Sequence, residues 1–179
     1  MPKSQVLDLL REIKSSTFRN AAPLPLKQDN QEQWQGLGFQ IGGVRLVSTL
    51  GEVTEIFQPP RVSLLPGVKN WVMGVANLRG RLVTIIDVHK YFGMSSTLPS
   101  SEWRVLVVED EDLIVGLLVE QSLGMQHFAK TSFEQSAPVG LESLQEYLQG
   151  AYRHGGRIFY QIDLLAIVRD KKFFEVVDK

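Results

Sequence analysis

Between Trp71 and Gly93 the chain reads WVMGVANLRGRLVTIIDVHKYFG, and the fold is decided by how this stretch is parsed. Val72 and Val75 before Asn77–Gly80, and Leu82, Val83, Ile85 and Ile86 after it, are the apolar and β-branched residues of two strands. Gly80 supplies a turn conformation that other residues enter only under strain. After Ile86 the period changes. Asp87 is placed to cap a helical turn, Val88, Tyr91 and Phe92 follow at helical spacing, and Gly93 ends it. The parse is strand, turn, strand, short helix.

The chain repeats this unit. Tyr147 to Arg169, YLQGAYRHGGRIFYQIDLLAIVR, overlays Trp71 to Gly93 at a constant offset of 76, pairing Gly74 with Gly150, Gly80 with Gly156, Arg81 with Arg157, Ile86 with Ile162 and Asp87 with Asp163. Apolar residues also face apolar ones at Leu82 and Ile158, Val83 and Phe159, Val88 and Leu164, and Trp71 and Tyr147. A duplicated supersecondary unit predicts two similar subdomains, and two copies are too few for a solenoid.

Upstream, Val6, Leu9, Leu10 and Ile13 form the apolar stripe of an amphipathic helix whose simplest role is to cover the domain's own core. Asn20 to Gln33, with Pro23 and Pro25, reads as a linker. From Trp34 the pattern is strand-like: Gly42-Gly43 between apolar runs signals a hairpin, and GEVTEIF alternates through Val53, Glu55 and Phe57. Pro59, Pro60 and Pro66-Gly67 then interrupt the chain before Trp71. Met94 to Ser101 is a polar connector. Short strands broken by Gly and Pro predict barrel or sandwich topology rather than βαβ units.

With 179 residues and 44% hydrophobic content, the chain can bury a core as one domain or two small intimate ones. A net charge of −1 gives no electrostatic basis for binding nucleic acid or an anionic membrane. The lack of cysteine removes thiolate chemistry and disulfides and fits a reducing compartment. No signal-peptide pattern opens the chain, and the longest apolar run, Leu113 to Val119, is a buried strand rather than a membrane span.

Catalytic constellations do not assemble. His89, His127 and His154 have no metal-ligand spacing, the glycines form no phosphate-binding fingerprint, and Asp87 and Asp163 are explained as helix caps. No cofactor is called for. LVVED, ending in Glu109 and Asp110, resembles the acidic cluster of a phosphoacceptor receiver domain, but the position for the acceptor aspartate falls near His154 and Gly155. Glu109 to Asp112 therefore reads as a charged hairpin turn. A phosphoacceptor signalling domain is the alternative function.

GEVTEIF, then PGVKNWVMGVANLRGRLVTIIDV, LIVGLLVE and EYLQGAYRHGGRIFYQIDL resemble the CheW-like chemosensory coupling proteins from about Trp34 to Val168. The long N-terminal arm is similar to that of the family's type IV pilus (twitching motility) branch. The resemblance implies an all-β fold of two pseudo-repeated five-stranded β-barrel subdomains with short capping helices. An arm over 1–33 would precede a domain over 34–179, its first barrel mainly 34–93 and its second mainly 102–170, with elements open to exchange. It also implies a non-catalytic, cytoplasmic adaptor. Its partners would be the cytoplasmic tip of a methyl-accepting chemoreceptor and the regulatory domain of a CheA-like histidine kinase, in membrane-associated receptor arrays. Partner contacts carry over to Val53, Glu55 and Ile56 on one strand and to Gly74, Asn77, Leu78, Arg79, Gly80 and Gly150. Gln121 and Ser122 depart from the family pattern. The repeat places Gly155 opposite Arg79, so the hairpin does not itself require arginine, whose planar fork suits a partner's carboxylate.

Overall fold

A computed structural model describes residues 32–111, 113–135 and 140–177. The N-terminal amphipathic helix, most of the linker and Asp112 lie outside the described residues. In chain order the strands are β1 (Gln33–Ile41), β2 (Val44–Thr49), β3 (Val53–Phe57), β4 (Val72–Leu78) and β5 (Arg81–Asp87), followed by helix α1 (Val88–Phe92). Then come β6 (Arg104–Asp110), β7 (Leu113–Val119), β8 (Gln121–Ala129), β9 (Phe133–Glu134), β10 (Leu148–His154), β11 (Arg157–Ile162), α2 (Leu164–Arg169) and α3 (Lys171–Phe174).

The duplicated unit folds twice in the same way. β4 and β10 start at equivalent positions and carry the same bulge, between Val72 and Gly74 and between Leu148 and Gly150. Asp87 N donates to Trp71 O at 2.8 Å, and Asp163 N to Tyr147 O at 3.0 Å. Both aspartates cap: the Asp87 side chain accepts from His89 N and Lys90 N, and that of Asp163 from Ala166 N. Gly93 closes α1 in the left-handed conformation.

The turns share one backbone solution. Both central residues have positive φ at Gly42-Gly43, Arg79-Gly80 and Gly155-Gly156, the requirement of tight hairpins whose twist matches the strands. Arg79 holds φ 53° where its counterpart is glycine. The turn expected over Glu109 to Asp112 is shorter: Glu109 and Asp110 pair with Ile114 and Leu113 as the end of β6, and Glu111, after them, has φ 49°.

Strands from both sides of position 93 enter each sheet. One sheet runs β8-β1-β2-β11-β10-β9 and the other β3-β6-β7-β5-β4. Hairpin β1-β2 therefore belongs with the strands of the second half, and β6-β7 with those of the first. Two parallel pairings, β2 with β11 and β5 with β7, attach the exchanged hairpins. The duplication is visible here too, since Val75, which takes the edge contact of Ser63, is matched 76 positions later by Ala151, which takes that of Glu134.

The sheets hold six and five strands and do not close into barrels: among the described residues no backbone hydrogen bonds join β8 to β9 or β3 to β4. They curl instead around side chains. Val47, Phe128, Tyr152 and Phe159 fill the first sheet, with Phe128 stacked on Tyr152 at 4.7 Å. Ala76, Leu78, Val83, Ile85, Val105, Val107 and Leu118 fill the second. Between the sheets lies a larger shared core, including Phe39, Leu46, Ile86, Leu106, Leu117, Ile162 and the buried faces of α1 and α2. Burial of this apolar area, at roughly 25 cal/mol per Å², unites the halves.

Candidate functional site

The expected contact residues divide by position. Glu55 on β3 meets Arg79 of the β4-β5 turn, Ile56 beside it is exposed, and Val53 is half-buried against the shared core. Arg79 reaches across the curl to Glu55: its Nη1 lies 2.6 Å from Glu55 Oε2, and its guanidinium sits 5.3 Å from the centroid of the Phe57 ring. The carboxylate expected on a partner is thus supplied by the chain itself. Asn77 Oδ1 accepts from Gly80 N at 2.8 Å and fixes the turn.

Three of the nine residues face inward. Leu78 is buried in the inner cluster of its sheet. Gly74 sits under the Ser63 carbonyl, and Gly150, on β10 of the other sheet, under the Phe133 ring. These glycines admit their own chain's covering segments, which is a packing duty rather than an exposed contact.

Arg79 stands where glycine would be the unstrained choice. A non-glycine residue at φ 53° costs roughly 1–2 kcal/mol, while the exposed ion pair with Glu55 offsets at most about 1 kcal/mol of this. Arg79→Gly should therefore have a stability within about 1 kcal/mol of the parent in a thermal melt. A pull-down on the same variant tests whether the guanidinium matters for binding, with weakened partner capture at unchanged stability as the expected result.

In front of β3 lies a shallow apolar groove of about 210 Å³, lined by Leu37 and Leu50 from the six-stranded sheet and its edge and by Val53 and Ile56 from the other. Leu50 and Ile56 are 44% and 42% exposed, unusual for large apolar residues lining one groove. The crossing strand β3 creates this groove because it leaves the β1-β2 hairpin for the opposite sheet.

The acidic cluster is committed elsewhere. Arg81 pairs with both oxygens of Glu109, at 2.9 and 2.7 Å, and Thr54 Oγ1 donates to Glu109 at 2.9 Å. Arg169 grips Asp110 bidentately at 2.7 and 2.6 Å. Hydrogen bonds from these arginines hold both carboxyls below their usual range. The two carboxylates have separate partners, as hairpin ends do, and do not converge on a common ion. Among the described residues no three histidine or carboxylate side chains group to hold a metal, and no helix is long and apolar enough to cross a membrane.

Sequence reasoning missed Glu120, the residue where the chain passes from β7 into β8. It is fully buried, yet it accepts from Gln40 Nε2 at 3.0 Å, Gly43 N at 3.1 Å, Thr97 Oγ1 at 3.1 Å and Thr97 N. The Met94–Ser101 connector is thereby pinned to the β1-β2 turn. Burial pushes this carboxyl up, but the converging donors outweigh it and bring it to about 2. His89, also buried, bonds Asp87 at 3.2 Å through Nδ1 and stacks on Trp103. A charge directly after an uninterrupted apolar run, LIVGLLV then Glu120, was the available signal.

The CheW-like domain family matches residues 35–172. The chain is 42% identical over 144 residues to the protein PilI of Pseudomonas aeruginosa, covering 80% of this chain and 81% of that one. It is 32% identical over 118 residues to the chemotaxis protein CheW of Helicobacter pylori, covering 66% and 68%. The crystal structure of the scaffolding protein TtCheW from Thermoanaerobacter tengcongensis superposes with a TM-score of 0.67 at 20% identity, over 78% of this chain and 95% of that one. Two curled sheets with exchanged hairpins and a family match over most of their length make this chain a member of the CheW-like domain family.

Proposed function

We propose that the protein is an adaptor that joins the cytoplasmic tip of a methyl-accepting chemoreceptor to the regulatory domain of a CheA-like histidine kinase. The pathway is a chemosensory one controlling type IV pilus twitching motility. The single observation that carries the docking role is the exposed apolar groove between the sheets, with Leu37, Leu50, Val53 and Ile56 along it and the Arg79–Glu55 pair beside it. A groove beside a strand gives affinity through apolar anchors and specificity through the charges at its rim. Similarity to PilI supports the pilus pathway. The protein acts in the cytoplasm, recruited to receptor arrays, and contributes surfaces rather than chemistry.

Ile56→Glu tests the groove. The side chain is 42% exposed, so the change should cost less than about 1 kcal/mol of stability. Placing a charge among apolar anchors should weaken capture of the kinase regulatory domain or the receptor tip at least about tenfold. Retained binding of both partners by a folded Ile56→Glu protein would move the contact surface off this groove. A phosphoryl adduct on Glu109 or Asp110 after treatment with a small phosphodonor would favour the receiver reading instead.

A further inference from the structure

The repeat extends beyond the duplicated unit. Thr84 pairs with Val115, and its counterpart Tyr160 pairs with Leu46. Hairpin β6-β7 therefore corresponds to β1-β2, with Glu109 opposite Ile114 in one and Gln40 opposite Arg45 in the other. In the five-stranded sheet Arg81 reaches past β7 to Glu109 and is neutralised there by contacts at 2.9 and 2.7 Å. Its counterpart Arg157 stands across β2 from Gln40, a neutral amide whose Nε2 donates to Glu120 at 3.0 Å. The second copy of the ion pair has lost its acid.

A second cation takes the intervening place. Where Ile114 packs against the inner cluster of its sheet, the other sheet carries Arg45. Val47 and Phe159 fill the inside of the six-stranded sheet, so Arg45 and Arg157, each two residues along its strand, share that face at its open end. Pairing of Tyr160 with Leu46 puts Phe159 beside Arg45 and Arg157 on the diagonal, within reach for two long side chains. Arg157 is exposed and Arg45 half-buried, and neither has a carboxylate within 4 Å among the described residues. Glu120, which Gln40 touches, is fully buried and already accepts from Gln40, Gly43 and Thr97. Two guanidinium groups with no acid between them attract one from outside, since the planar fork of each matches a carboxylate with two hydrogen bonds. The geometry points to a second docking site, at this end of the six-stranded sheet, which takes a glutamate or aspartate side chain of a partner protein: its carboxylate fills, between Arg45 and Arg157, the place that Glu109 fills beside Arg81. This site lies on the other sheet from the Arg79–Glu55 pair and is independent of what occupies the β3 groove.

Titration of the full-length, ¹⁵N-labelled protein with a tetraglutamate peptide blocked at both ends, at constant ionic strength, tests it. A blocked tetraglutamine peptide is the uncharged control. The glutamate peptide should shift the Arg45 and Arg157 Nε–H signals, assigned with Arg45→Gln and Arg157→Gln, and the shifts should saturate below about 50 mM, as a dissociation constant of about 5 mM requires. The Arg81 signal, whose cation is already paired, should not move, and the glutamine peptide should move none of the three. Arg157→Gln, an exposed change that leaves the fold intact, should weaken the response at Arg45 at least about fivefold. Absence of a saturable shift, an equal shift at Arg81 or with the glutamine peptide, or unchanged affinity in Arg157→Gln would each overturn the assignment.

Discussion

Replacing Gly74 by alanine should destabilise the protein by at least about 3 kcal/mol, far more than the same change at Gly80. At Gly74 the backbone holds φ 133°, where a side chain is strained, and an added Cβ would stand 2.2 Å from the Ser63 carbonyl oxygen and 3.2 Å from Leu64 Cα. Both obstacles are main chain and cannot rotate away. Relief requires lifting the covering segment, which breaks the hydrogen bonds Ser63 N to Val75 O at 2.7 Å and Val75 N to Ser63 O at 3.0 Å. Backbone strain of about 1–3 kcal/mol and two lost bonds of about 1 kcal/mol each set the scale. Gly80 has φ 84° but nothing within 4 Å of an added Cβ, so Gly80→Ala incurs strain alone, about 1–2 kcal/mol. Chemical denaturation of the two variants checks the ordering. Equal losses would mean that Ser63 moves aside freely and that the edge contact adds no stability.

Glu120→Ala should cost about 3 kcal/mol, because it removes the buried carboxylate that is the common acceptor of Gln40, Gly43 and Thr97 and so unties the connector from the β1-β2 turn. The charge has a pH signature with a definite sign. Glu120 titrates near 2 in the folded protein against an ordinary value of 4.5, so the folded state favours the ionised form. Its contribution is present in full above the ordinary range and is lost as pH falls from about 4.5 toward 2. By linkage the loss is about 3 kcal/mol. Glu120→Gln keeps the shape and removes the proton exchange. Unfolding free energies measured down to about pH 2.5 should converge for parent and Glu120→Gln, having diverged at neutral pH. Parallel pH profiles would show that Glu120 is not a buried, paired carboxylate.

Both predictions concern places where chain segments distant in sequence are held together, and there the residues taken in order carry no signal of what they meet. By itself the sequence determined the local units. Apolar periodicity, the glycines of three hairpin turns, the caps at Asp87 and Asp163 and the offset of 76 all express interactions within a few residues or comparisons between two such stretches, and the strands and helices lie where those rules put them. The charged turn after Glu109 was legible for the same reason. Only the tertiary structure decided that hairpins β1-β2 and β6-β7 change places, since a parallel pairing such as Ile86 with Leu117 is made by backbone groups that carry no sequence label. The exchange in turn brought Leu37 and Leu50 to face Val53 and Ile56 across the groove. Arg79 and Glu55 were each singled out, yet their pairing depends on how far the sheet curls, as does the inward aim of Leu78. Gly74 and Gly150 stand out in the repeat, but what lies over each of them, a carbonyl in one half and a phenyl ring in the other, belongs to the folded chain alone.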